Sequence, residues 1–187
     1  MALKFDKDAV YKKNSGFDFV GEDGIYLVEI IENEIRTEEF EGRYKGSKYH
    51  NLKIMFQNGK TKYIKIYYEN AEGDIDASGY NFLLSLRNIL KEDFEDANKD
   101  TSKVLAADSN QIVNSFIKNK RPIYLAFRQS EYKETTYFNL NKFVNPLGDL
   151  SDAYKEAEKR KLEVIDLAEE TKTEPTQDDD WDDEDDL

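Results

Sequence analysis

Apolar residues recur at two spacings along this chain, and the change from one to the other marks out its elements. From Gly24, the residues Ile25, Leu27, Val28, Ile30, Ile31 and Ile35 form a β-branched run that reads as a long first strand. Both of its alternating faces are apolar early on, so it is expected to be well buried. Leu52, Ile54 and Phe56 then alternate with Lys53, Met55 and Gln57, and after Asn58-Gly59 a second run alternates Ile64, Ile66 and Tyr68 with Tyr63, Lys65 and Tyr67. This is a β-hairpin, and its register follows from the rule that paired residues share a face of the sheet. A two-residue turn would set Lys53 against Ile64 and mix the faces. A three-residue loop, Gln57 to Gly59 with Gly59 left-handed, pairs Leu52 with Ile64 and His50 with Ile66 instead. The opposite face then pairs Lys53 with Tyr63, Asn51 with Lys65 and Tyr49 with Tyr67, an aromatic and basic surface. His50 falls on the inward phase, and Met55 reads as a packing residue.

The period changes to helical with Tyr80, Phe82, Leu83, Leu84, Leu86, Ile89 and Leu90, which predict a helix over about 79–91 with Ser78 as its cap. Ile112, Val113, Phe116 and Ile117 predict a second, short helix over 110–118, joined to the first by a charged stretch. After Pro122, Ile123, Leu125 and Phe127 alternate with Tyr124, Ala126 and Arg128, and a turn through Ser130 to Lys133 leads to Thr136, Phe138 and Leu140, a second hairpin. Pro146 and Gly148 end it. A C-terminal helix is expected over 149–170, with a thin apolar stripe of Tyr154, Ala157, Leu162 and Ile165 that packs loosely. The chain divides into an N-terminal arm (1–16), a folded domain (17–148), this helix, and a tail (171–187).

Charge sharpens that division. The formal net charge is −13, from 27 Lys and Arg against 40 Asp and Glu, but residues 178–187 hold eight of the acids and no base. Residues 1–177 therefore carry only −5. The terminal run Asp178-Asp179-Asp180-Trp181-Asp182-Asp183-Glu184-Asp185-Asp186-Leu187 repels itself and has almost no apolar surface to bury, so it is expected to be a disordered interaction tail. Trp181 and Leu187 give a partner two apolar groups to grip. There is no cysteine, which removes disulfide scaffolds, thiolate zinc sites and cysteine nucleophiles, and the first thirteen residues lack the apolar stretch of a signal peptide. A soluble cytoplasmic protein is expected, inside a host cell if the chain is phage-encoded.

Three strands, a helical insertion and two more strands is the order of the five-stranded OB-fold barrel, whose strands 2 and 3 and loops 1-2 and 4-5 bind oligonucleotides. In that frame loop 1-2 carries Arg43, Tyr44, Lys45 and Lys48; the outer face of strands 2 and 3 carries Tyr49, Lys53, Tyr63, Lys65 and Tyr67; and loop 4-5 carries Arg128, Tyr132 and Lys133. A single tyrosine in a strand is ordinarily there for its β-propensity, and a Tyr-Lys pair covers a wet sheet face adequately. Three separate stretches that interleave rings with bases where one fold binds single strands are a stronger signal. Lys and Arg hold phosphates, and rings stack bases whatever their identity.

With the order of elements across 24–144 and the tail 178–187, the chain resembles the single-stranded-DNA-binding proteins of phages and bacteria, which join an OB fold to an acidic C-terminal tail. The resemblance implies sequence-independent binding that protects single-stranded DNA during replication, recombination and repair. It also implies a tail that recruits replication and recombination proteins and competes with DNA for the groove. Family tails usually end in an aromatic residue, whereas this one ends in Leu187 and sets Trp181 within the run. No cofactor, metal or membrane is implied, and self-association stays open. The alternatives are an acidic DNA mimic or protein-interaction module, and a Mg²⁺-dependent nuclease using Glu92, Asp93, Glu95 and Asp96. Catalysis is disfavoured because the chain has one histidine and no Gly-rich phosphate loop, and the nuclease because a charge run this exposed is usually a solvated helix or loop. A non-enzyme is expected.

Overall fold

The computed structural model describes residues 21–168; the N-terminal arm, the tail and the end of the expected C-terminal helix lie outside them. The first strand, β1 (Gly24–Thr37), organises the sheet. Its second half pairs antiparallel with β2 (Lys48–Phe56) and its first half with β4 (Ile123–Tyr132), giving the order β3-β2-β1-β4-β5 with β3 (Thr61–Glu69) and β5 (Thr135–Leu140) at the ends. The long strand changes partner part-way, and the β1–β2 ladder shifts by one residue between Ile30 and Glu32. A bulge of this kind bends a strand, which lets one strand serve both halves of a curved sheet.

The β2–β3 hairpin has the register its alternation demands. Leu52 pairs with Ile64, His50 with Ile66, Lys53 with Tyr63, Asn51 with Lys65 and Tyr49 with Tyr67. The loop is Gln57 to Gly59, with Gly59 at φ +77° and its N–H donating to the Phe56 carbonyl (2.9 Å). The β4–β5 turn differs from expectation. The strands run on to Tyr132 and resume at Thr135, joined by Lys133 and Glu134, both left-handed (φ 49° and 63°). That is a two-residue hairpin turn whose twist matches the strands, so Arg128 and Tyr132 are strand residues and the loop is shorter than the sequence suggests.

Helix α1 (Ala77–Asp96) is longer than the apolar spacing alone marks. Its cap is Asp76, whose carboxylate accepts from the Ser78 and Gly79 amides, and not Ser78. A short helix α2 (Ser102–Ala106) lies within the expected charged connection, and α3 (Ser109–Asn119) starts with a capping box between Asp108 and Gln111. Phe82, Leu83, Leu86 and Leu90 of α1 and Val113 and Phe116 of α3 meet Val28, Ile30, Leu52, Ile54, Ile64 and Ile66 of the sheet in the main core. At its centre the Tyr26 ring stands edge-on to Phe56, Phe127 and Phe138, at 5.6, 5.9 and 5.6 Å between centroids.

The C-terminal helix is corrected in both length and packing. Helix α4 (Leu150–Arg160) ends at Lys161, which is left-handed (φ 56°), and the Leu162 N–H closes back on the Ala157 carbonyl. The β-branched pair Val164–Ile165 then forms β6, parallel to β1 at Ile25 and Tyr26. The packing face of α4 is small: Ala153 and Ala157 sit against Ile25 and Ala126 on the other side of the sheet, while Tyr154 is exposed. Small residues let the helix backbone approach the sheet.

The sheet is open. Among the described residues β3 and β5 make no ladder with one another, so the five-stranded barrel of the sequence reading is not closed by backbone hydrogen bonds. At Asn141 the chain leaves the sheet in a turn closed by the Val144 N–H on the Asn141 carbonyl.

Candidate functional site

The sequence nominates an aromatic, basic surface, and its residues converge most tightly where the β1–β2 loop (38–47) folds over β3. Tyr44 from the loop stacks on Tyr67 from β3, 4.2 Å between centroids and 16° from parallel. Tyr49 from β2 leans on Tyr67 at 5.1 Å. The Arg43 guanidinium lies 5.5 Å from the Tyr44 centroid, and the Lys65 ammonium 4.8 Å from that of Tyr49. Arg43, Tyr44, Tyr67, Tyr49 and Lys65 thus form one pile of three rings with a cation at each end, and both cations lie within the range at which a ring quadrupole attracts them. Tyr49 is 5% exposed and is a structural member of the pile. Tyr44, half-buried, is the ring at the loop end of the pile, with Arg43 over it.

A buried carboxylate holds the pile together. Glu38 is 7% exposed at the base of the loop, where its N–H donates to the Ser47 carbonyl and its own carbonyl accepts from the Gly46 N–H, both at 2.8 Å. Its carboxylate accepts from Lys65 Nζ (2.6 Å) and from the Tyr67 hydroxyl. The hydrogen bonds from Lys65 and Tyr67 outweigh desolvation and hold the Glu38 carboxyl below its ordinary range. Burial, reinforced by Glu38, pushes the Tyr67 hydroxyl up, so Tyr67 remains a donor. One side chain therefore fixes loop, strand and ring orientation at once.

Lys142, just past β5, adds a cation that the sequence reading did not nominate. Its Nζ is 5.5 Å from the Tyr44 centroid and 5.7 Å from that of Tyr67. A point almost equidistant from two stacked rings lies beside the stack, not above either face. Lys142 was legible only as an exposed base between a strand end and Pro146. Glu38 was hidden among the loop's acids, and it takes the fold to single it out.

Most of the nominated lysines arrive already paired. Lys45 meets Glu41, Lys48 meets Glu69 (2.6 Å), Lys53 meets Glu32 (2.8 Å) and Lys65 meets Glu38. Further along the same face Tyr63 is half-exposed, with Lys53 Nζ 5.7 Å from its ring centre and its hydroxyl donating to Glu32 (3.4 Å). The β4–β5 hairpin carries Arg128, Tyr132 and Lys133 as a separate group. Lys133 lies 5.2 Å from the Tyr132 ring centre, and Arg128 pairs across the ladder with Asn139. These three make no contact with the pile.

His50 is fully buried, as its inward phase requires, between Asn33 and Ser109. Of the acidic run on α1, Asp93 accepts two hydrogen bonds from Arg121, both 2.9 Å, which assigns it to the body's packing. Among the described residues no cluster of three or more His, Asp or Glu is arranged to hold a metal, and no helix is long and apolar enough to cross a membrane. Chemically, the site offers π-faces and cations, which suit a ligand that is at once aromatic and anionic. Comparison of the chain with protein-family models and with curated protein sequences gives no match in either.

Proposed function

We propose that this protein binds single-stranded DNA without regard to its sequence and protects it during replication, recombination and repair. The observation that carries the reading is the convergence, from three separate stretches, of Tyr44, Tyr67 and Tyr49 with Arg43, Lys65 and Lys142. Stacking of a base on an exposed ring is worth about 1 to 3 kcal/mol and tolerates any base, while cations beside the rings meet the phosphates. Tyr63 on the same face and Tyr132 on the second hairpin are the further platforms. In this reading the sheet is an OB barrel whose β3 and β5 edges face each other through side chains, with Leu140 and Val144 opposite Ile66 across the gap. β1 shared between β2 and β4, and helices packed beneath the sheet, suit that fold. The acidic run 178–187, outside the described residues, recruits replication and recombination proteins and competes with DNA for the same surface.

A titration of fluorescent oligo-dT at about 50 and about 200 mM salt tests this, with binding expected at the lower concentration and weakened at the higher. Absence of binding at low salt would sink the proposal and leave the acidic DNA mimic as the better reading. Removing 178–187 is expected to leave DNA affinity equal or higher and to abolish partner recruitment. A loss of affinity would refute the competition.

A further inference from the structure

The proposed DNA surface has few cations that are free to meet a phosphate. Four of its lysines are held by carboxylates of the same surface: Lys45 by Glu41, Lys48 by Glu69, Lys53 by Glu32 and Lys65 by Glu38. Arg43 and Lys142 make no ion pair among the described residues. Both are exposed, and both stand against the same ring, Tyr44, at 5.5 Å. They also face one concavity, walled by Tyr44, Tyr67, Asn70 and Ser78. Glu69 and Asp76 on that wall are engaged, the first by Lys48 and the second by the leading amides of α1.

We propose that this surface holds a nucleic-acid strand by phosphate contacts to Arg43 and Lys142, and that Glu32, Glu38, Glu41 and Glu69 keep the other four lysines off the backbone. The inference rests on the DNA-binding reading and adds which charges do the work. A phosphate approaching Lys48 or Lys53 must displace a carboxylate already in contact. It gains no net charge pair, and it leaves the freed carboxylate beside the strand as a repelling neighbour. A phosphate approaching Arg43 or Lys142 displaces nothing. Seated between them, it brings the attached base beside the Tyr44 ring that both cations flank, so one nucleotide meets both ring and charge. Affinity then depends on stacking more than on salt, which the mildly acidic body of this chain requires of an anion binder.

The salt dependence of oligo-dT binding tests the assignment, because each phosphate neutralised on a single strand contributes about −0.7 to the slope of log K against log salt. Lys142→Ala and Arg43→Ala are each expected to flatten the slope by about 0.7, so that affinity between about 50 and about 200 mM salt falls about 2.6-fold less than in the parent protein. Lys48→Ala and Lys53→Ala should leave the slope unchanged. Glu32→Gln with Glu69→Gln should release both lysines, steepen the slope by about 1.4 and tighten binding at low salt. Both ion pairs touched by these variants, Lys48–Glu69 and Lys53–Glu32, are at the surface, so folding is retained, and circular dichroism checks it. If Lys48→Ala and Lys53→Ala flatten the slope as much as Lys142→Ala, the assignment is overturned while DNA binding itself stands. If the parent protein binds no oligo-dT at low salt, both fall together.

Discussion

His50 illustrates how closely a single residue of this chain is specified. Its Nδ1 donates to Asn33 Oδ1 (2.9 Å), because the Asn33 amide group turns its own N–H toward Asn110 Oδ1 (2.9 Å), and its Nε2 accepts from the Ser109 hydroxyl (3.0 Å). Desolvation lowers its pKa from 6.5 to about 4, against the opposing pull of Asp108, with the Tyr68 ring beside it. The native state therefore keeps the imidazole neutral where the unfolded chain protonates it. The stability this confers is complete above about pH 6.5 and is lost progressively down to about pH 4. A loss of about 2 kcal/mol between pH 7 and pH 5 is expected in urea denaturation and should be absent in His50→Gln; a flat profile for the parent protein would contradict it. The tyrosines divide in a similar way. Tyr44→Ala should leave stability nearly unchanged and cost about 1 to 3 kcal/mol of oligo-dT binding, whereas Tyr49→Ala, emptying a buried position, should destabilise the fold by about 3 kcal/mol. The opposite pattern, read by calorimetry and titration on the same samples, would exchange the roles assigned to them. Strand phase made His50 readable from sequence as inward. It could not separate Tyr49 from Tyr63, because both share the outward phase and only the loop that covers one of them tells them apart.

At the scale of elements, the most legible feature was the β2–β3 hairpin, since strict alternation on both strands and one Asn-Gly pair leave a single register in which the faces agree. The second hairpin was less so. A turn built on Lys133 and Glu134 has none of the glycine that ordinarily announces it. The end of α4 was misread for a similar reason: Lys159 to Glu163 has the composition of a helix, and only the left-handed Lys161 and the β-branched pair that follows break it. Helix α1 joins the sheet through one contact with no side chain on either part. A Cβ at Gly79 would fall 1.7 Å from the Tyr67 carbonyl oxygen, backbone against backbone. Gly79→Ala is therefore expected to push α1 off β3, costing about 3 kcal/mol or more, and to disturb the Tyr67 ring and oligo-dT binding with it. Native-like melting of that variant would place the contact elsewhere.

Across the whole molecule, the order of the first five strands was carried by periodicity, and neither the two-residue β6 nor the closure of the sheet was. Whether β3 and β5 pair depends on where the chain leaves β5, and Asn141 offers no distinctive pattern to mark the exit. Lys142 was missed with it, since its role exists only because the two sheet ends face one another. The charge of the body is likewise misleading when taken as a sum. What matters is which lysines are already answered by a neighbouring carboxylate, a property of cross-strand register and loop path.

The Tyr-and-Lys face of β2 and β3 hangs from the same backbone whose other side is the core, with Lys53, Tyr63, Lys65 and Tyr67 alternating with Leu52, Ile54, Ile64 and Ile66. β2 cannot open without exposing core side chains, so its amides, laddered between β1 and β3, should be among the slowest to exchange with deuterium. The surface is consequently rigid before any ligand arrives. A strand that docks there has its own chain to order and almost nothing of the protein's, which leaves the flexibility of the nucleic acid as the main entropic cost of binding.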